Sequence, residues 1–174
     1  VVLTGDTFDE ASEEANQFCN EIGAVFIHPF DDEEVIAGQG TIGLELLENS
    51  SSPVDYLFVP IGGGGLAAGI STVFKQLSPH TKIIGVEPEE SASMKVSLEE
   101  AKRVKLNQVG SFADGTAVKL VGEKTFEICK KYVDEIITVS TDELCAAMKD
   151  IFNNTRALSE PSGALSIAGI KKYL

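Results

Sequence analysis

Gly62, Gly63, Gly64 and Gly65 follow one another without a break, between Ile61 and Leu66-Ala67-Ala68-Gly69. Such a run removes every Cβ and opens positive φ, so a ligand can lie directly on backbone N–H groups. At the start of a helix those groups add to the positive end of its dipole, and the chemistry this arrangement performs is anion binding, most often of a phosphate. No Gly-Lys-Ser/Thr follows, which excludes a mononucleotide P-loop. Gly62-x-Gly64-x-x-Ala67 satisfies the relaxed dinucleotide fingerprint, with Glu87 closing a later strand where a ribose-binding acid would stand. Four successive glycines are more than a dinucleotide turn requires, which favours a cup for the phosphate of a compact cofactor over that reading and over a turn with no ligand.

The other chemistry-bearing residues read as structural. His28 precedes Pro29 and His80 follows Pro79, and neither has a cysteine or acid nearby at metal-ligand spacing. Asp31-Asp32-Glu33-Glu34 reads as a solvated acidic loop and a candidate domain boundary. Cys19, Cys129 and Cys145 are odd in number and contain no CxxC pair, which predicts reduced thiols in an intracellular protein. No Ser-His-Asp order is apparent, and Ser162 in Pro161-Ser162-Gly163-Ala164 is read as chosen for small size.

The elements that must position the glycines can be read around them. Tyr56-Leu57-Phe58-Val59 is a buried strand ended by Pro60, and the helix after the glycines begins at Leu66. Val1-Val2-Leu3, Ala24–Ile27, Lys82–Glu87 and Glu135–Val139 are the other predicted strands. Thr7-x-x-Glu10 and Ser140-x-x-Glu143 are capping boxes that open helices, and Gly23 is a C′ glycine. Short helices are expected over Thr41–Glu48 and Ser91–Glu100, longer ones over Gly122–Val133 and after Ser140, and a last one from Glu160-Pro161. Strand and helix alternate, which implies an α/β protein with a parallel sheet and ligands at the carboxyl ends of strands. Three tips qualify: Ile61–Gly65, Glu87-Pro88 and the loop before Gly115.

Composition narrows the function. The 174 residues carry a net charge of -13, which argues against nucleic acid and against an anionic membrane surface. No apolar run approaches membrane-spanning length, and Val1-Val2-Leu3 is no signal peptide. A bound phosphate must be held by local N–H groups, because the overall field repels it.

Val59–Gly69 resembles the phosphate loop of the fold type II pyridoxal-phosphate enzymes. The likeness continues through Gly5–Ala11, His28–Asp31, Val35–Thr41, Gly85–Pro88, Phe112–Lys119, Cys145–Phe152 and Glu160–Tyr173. Phe112–Lys119 with Cys145–Phe152 resembles the biosynthetic threonine dehydratases (threonine deaminases) more than the serine racemases or catabolic dehydratases. The resemblance implies a doubly covered parallel sheet of the tryptophan synthase β type, with residues 1–30 as the tail of the small domain and 31–174 as most of the large one. It implies pyridoxal 5'-phosphate as cofactor, with its phosphate on Gly62, Gly63, Gly64, Gly65 and Leu66, its ring beside Ala113 and Gly115, and Glu160 facing it. Metal is not expected, since Ser91 and Ser93 supply no second carboxylate near Glu87.

The implied reaction is dehydrative deamination of L-threonine to 2-oxobutanoate and ammonia, in isoleucine biosynthesis. Serine dehydratase or racemase activity on the same scaffold, and a non-catalytic dinucleotide-binding module, are the alternatives. An amino-acid substrate, a homo-oligomer (a tetramer in the parent enzymes) and a cytoplasmic or organellar location come with the resemblance. The family's Ser-Phe-Lys-x-Arg motif, whose lysine bonds the cofactor, is absent from these residues, as are its Ser-Gly-Asn-His and Ser-Gly-Ala-Asn segments. The chain therefore reads as a catalytic-domain fragment that supplies phosphate binding and one wall of the pocket but has no turnover by itself.

Overall fold

A computed structural model describes residues 1–174. Strands β1 (Tyr56–Pro60), β2 (Lys82–Pro88) and β3 (Glu135–Val139) form a parallel sheet in the order β1-β2-β3. Leu57 stands opposite Ile83, and Gly85 opposite both Val59 and Ile136. Alternation along the strands sends Leu57, Val59, Ile83 and Ile136 to one core, and Phe58, Val86, Ile137 and Val139 to another. The first core is completed by α2 (Glu33–Asn49), α3 (Gly65–Leu77) and α5 (Glu123–Tyr132) through Ile36, Ile70, Phe74, Phe126 and Cys129. The second is closed by α6 (Thr141–Thr155) and α7 (Leu165–Tyr173) through Leu144, Ala147, Leu165 and Ala168. The sheet is thus covered on both faces, as the strand–helix alternation requires.

Several local readings are revised. Asp31–Glu34 is not a solvated loop: Asp32 is the N-cap of α2, its Oδ1 accepting from the N–H of Glu34 at 2.9 Å and Val35 at 3.2 Å. The helix expected from Thr41 therefore begins eight residues earlier, at Glu33. Gly38-Gln39-Gly40 lies inside it rather than leading into it. Gly40 and Gly43 face α3, where a Cβ on Gly69 would overlap the Ile36 carbonyl oxygen. The two helices approach closely because these positions lack side chains. The expected helix over Ser91–Glu100 shortens to α4 (Ser93–Glu99) after a 3-10 turn at Glu89–Ser91, and another 3-10 turn at Ser162–Ala164 precedes α7.

Val1-Val2-Leu3 and Ala24–Ile27 are not strands, because neither finds a ladder partner within the chain. Between them α1 (Phe8–Ile22) starts at Thr7, whose hydroxyl accepts from the Glu10 N–H at 3.3 Å. The reciprocal half of the expected box is displaced by one residue, since the Glu10 carboxylate accepts from Asp6 rather than Thr7, at 2.8 Å. Gly23 ends α1 in the left-handed conformation, φ 71°, as a C′ glycine should. The Ser140–Glu143 box at α6 is complete.

Candidate functional site

The glycine run forms the turn between the carboxyl end of β1 and α3. Gly64 is the N-cap of α3, at φ 97°, a conformation only glycine adopts without strain. Its neighbours are glycines for reasons supplied by the protein. A Cβ on Gly62 would stand 2.9 Å from Thr116 Cα, and one on Gly63 would overlap the Phe30 ring. A Cβ on Gly65 would stand 3.0 Å from Phe30 Cα. The loop is thus packed tightly on two sides, by residues 30 and 116, and is open on a third.

That third side is a cleft of about 520 Å³. Gly62, Gly63, Gly64, Gly65, Leu66, Gly115 and Glu160 all line it, so seven of the eight residues singled out from the sequence share one wall system. Ala113 does not: it is 4% exposed, packed among Val86, Val139 and Leu165, with its carbonyl accepting from the Thr116 N–H at 3.0 Å. Thr116, Ser162, Gly163 and the aromatic pair Phe8 and Phe30 are also part of the lining.

The electrostatics of this wall follow from the backbone. The N–H groups of Gly62, Gly63 and Gly64, and those of Gly65, Leu66 and Ala67 in the first turn of α3, donate to no group of the chain. These donors stand at the start of a 13-residue helix with no side-chain cap, and all but that of Ala67 belong to residues lining the cleft. The ionisable residues of the cleft are Asp114 and Glu160; no lysine, arginine or histidine lines it. An anion placed here would be held by N–H dipoles, not by a cation. The Glu160 carboxylate accepts from the Ser162 N–H at 3.2 Å, which holds it at the rim. This donor set fits a phosphate monoester, and the cavity lies within the ordinary range for a small cofactor.

Glu87 lies elsewhere. It is fully buried, its two carboxylate oxygens accepting from the N–H groups of Met94 and Lys95, each at 2.8 Å. It caps α4, which has no N-cap side chain. Burial pushes its carboxyl up to about 8, against the pull of those two N–H donors. A group so placed reaches no ribose, which removes the acid that the dinucleotide reading needs. No cluster of histidine, cysteine and carboxylate groups is placed to hold a metal ion.

Beneath the loop is a layer the sequence did not disclose. The Thr125 hydroxyl, in the first turn of α5, donates to the Gly63 carbonyl at 2.6 Å, and the Gly122 N–H donates to the same oxygen at 3.3 Å. The Asp31 carboxylate accepts from the N–H groups of Glu123, Lys124 and Thr125, fixing the start of that helix. His28 Nδ1 accepts from the N–H groups of Phe30 and Asp31, at 3.3 and 2.9 Å, so this histidine is structural. The Asp31-Asp32 pair ahead of an apolar helical face was a capping signal open to recognition. A threonine inside a helix carries no such signal.

A family model described as pyridoxal-phosphate dependent enzyme matches residues 1–174. The chain is 54% identical over 173 residues to the L-threonine dehydratase biosynthetic IlvA of Burkholderia multivorans, covering 99% of this chain and 34% of that protein. The structure of the processed form of threonine deaminase isoform 2 from Solanum lycopersicum superimposes with a TM-score of 0.94 at 50% identity, over 99% of this chain and 50% of that one. Serine racemase from Dictyostelium discoideum gives a TM-score of 0.82 at 36% identity, over 95% and 52%. The chain spans about a third of the length of the Burkholderia relative.

Proposed function

The chain belongs to the pyridoxal-phosphate dependent enzymes, and on that premise we propose that it forms the phosphate-binding part of a threonine dehydratase, converting L-threonine to 2-oxobutanoate and ammonia. The observation that carries this reading is the set of unpaired N–H groups on Gly62–Leu66, five successive residues lining a cleft that contains no cation. Gly62, Gly63, Gly64, Gly65 and Leu66 would hold the cofactor phosphate. Gly115, whose added Cβ would stand 3.0 Å from Ser162 Oγ, lets the backbone approach the ring, and Glu160 faces it from the rim. Ala113 would act only through the backbone that supports Gly115. Phe8 and Phe30, with ring centroids 5.7 Å apart, form an apolar flank that excludes water.

When bound, pyridoxal phosphate supplies an electron sink for the carbanion that follows loss of the substrate Cα proton. These residues contribute binding and orientation to that chemistry. No lysine lines the cleft, so none of its side chains would supply the amine that bonds the cofactor. Residues 1–30 fit the end of a small domain and 31–174 the greater part of a large one: α1 buries none of its residues, whereas both cores lie beyond it. Exposed Val2, Phe18, Ile22, Val25 and Ile27 support assembly of the native protein into a homo-oligomer or against further segments of itself. No helix is long and apolar enough to cross a membrane, and a cytoplasmic or organellar location is consistent with that.

The threonine reading is favoured over the serine one by identity, 50% to the threonine deaminase structure against 36% to the serine racemase. Kinetics of the full-length native protein with both amino acids test this. Faster release of 2-oxobutanoate from threonine than of pyruvate from serine is expected. Racemisation of serine without threonine turnover contradicts the proposal.

A further inference from the structure

We propose that Thr125 is a positioning residue for the phosphate cradle, acting through the Gly63–Gly64 peptide; the inference rests on the cofactor reading above. Thr125 is fully buried and does not line the cleft, so it does not touch a ligand bound there. Its hydroxyl donates to the Gly63 carbonyl at 2.6 Å, across 62 residues of sequence. No peptide of the chain is cis, so the Gly64 N–H points opposite to the Gly63 carbonyl. A carbonyl held down on α5 therefore turns the Gly64 N–H up toward the cleft, where it has no acceptor in the chain.

The flanking glycines leave this peptide free to rotate unless something pins it. Glycine at 64 adopts φ 97°, and glycine on both sides removes the steric barriers that would hold another residue in place. The weaker bond from the Gly122 N–H, at 3.3 Å, is the only other restraint on that oxygen. Thr125 itself is held because the Asp31 carboxylate binds the N–H groups of residues 123, 124 and 125, at 2.9, 2.9 and 3.2 Å. The Phe30 ring then packs on Gly63 from the segment that Asp31 anchors. A buried side-chain hydroxyl thus sets the direction of a backbone donor on the opposite surface. Removing it leaves a buried carbonyl under-satisfied and the donor free to turn away.

The test compares binding of pyridoxal 5'-phosphate and of unphosphorylated pyridoxal to the full-length native protein and its Thr125→Val and Thr125→Ser variants, with the phosphorus NMR shift of the bound phosphate as the second readout. Thr125→Val should weaken pyridoxal phosphate about tenfold, the effect of one lost buried hydrogen bond. It should leave pyridoxal unchanged and move the phosphorus resonance, while Thr125→Ser, which keeps the hydroxyl, restores both. Wild-type affinity and resonance in Thr125→Val overturn the inference, as does equal weakening of both ligands, which would mark a general packing defect. Should Thr125→Val not fold, Thr125→Ala is read by the same criteria. If the unaltered protein binds no pyridoxal phosphate, the cofactor reading fails instead, which keeps the two failures distinct.

Discussion

Glu87 shows how one residue's environment decides between readings. Its position at the end of β2 suits a ribose-binding acid, yet its carboxylate is spent on the first turn of α4. Burial raises its folded-state carboxyl to about 8, above the ordinary value near 4.3 of an unfolded chain. The folded state therefore binds the proton more tightly. The stability this group contributes is complete below the ordinary carboxylate value and is lost as pH rises through about 8. Urea midpoints should fall between pH 5.5 and 8.5 by an amount equivalent to a few kcal/mol. Glu87→Gln, which cannot ionise, should show a much flatter profile; an equally steep fall in the variant would show that another group titrates. The same burial pushes the neighbouring Cys129 thiol up to about 12, which makes it inert to alkylation in the native protein, while Cys145 is exposed.

At the scale of elements, strands and capped helices were legible because their signals are local. The apolar run of β1, the box at Ser140 and the C′ glycine at Gly23 each need only a few neighbouring residues to be read. What escaped was set by contact across the chain. Gly38, Gly40 and Gly43 look alike in sequence, but only the latter two face α3. A Cβ on Gly69 would overlap backbone of α2, so Gly69→Ala must push the helices apart and should cost about 1–3 kcal/mol. A Cβ on Gly38 meets nothing, so Gly38→Ala should stabilise the helix by about 0.5–1 kcal/mol. Chemical denaturation of the two variants checks this pair; shifts in the same direction would contradict the packing described for α2 and α3. Val1–Leu3 and Ala24–Ile27 failed for the complementary reason, since a strand exists only with a partner to bond to.

For the molecule as a whole, the glycine run pointed to a loop that the structure places on a cleft with its N–H groups unpaired, and the fold supplies what the run could not. β1 delivers the loop to the carboxyl edge of the sheet, α3 supplies the dipole, α5 holds the loop from beneath, and the 3-10 turns at Asp114–Thr116 and Ser162–Ala164 form the facing wall. The net charge of -13 opposes an anion at long range, so the proposed phosphate would be held by the local N–H groups only at contact. We propose that these groups hold the cofactor's phosphate. The most direct measurement is a crystal structure of the full-length native protein with pyridoxal 5'-phosphate. Phosphate oxygens should lie about 2.7–3.2 Å from the backbone nitrogens of Gly62–Leu66, with the ring extending past Gly115 toward Glu160. A phosphate bound to side-chain cations elsewhere, with the glycine N–H groups left to water, would rule this role out.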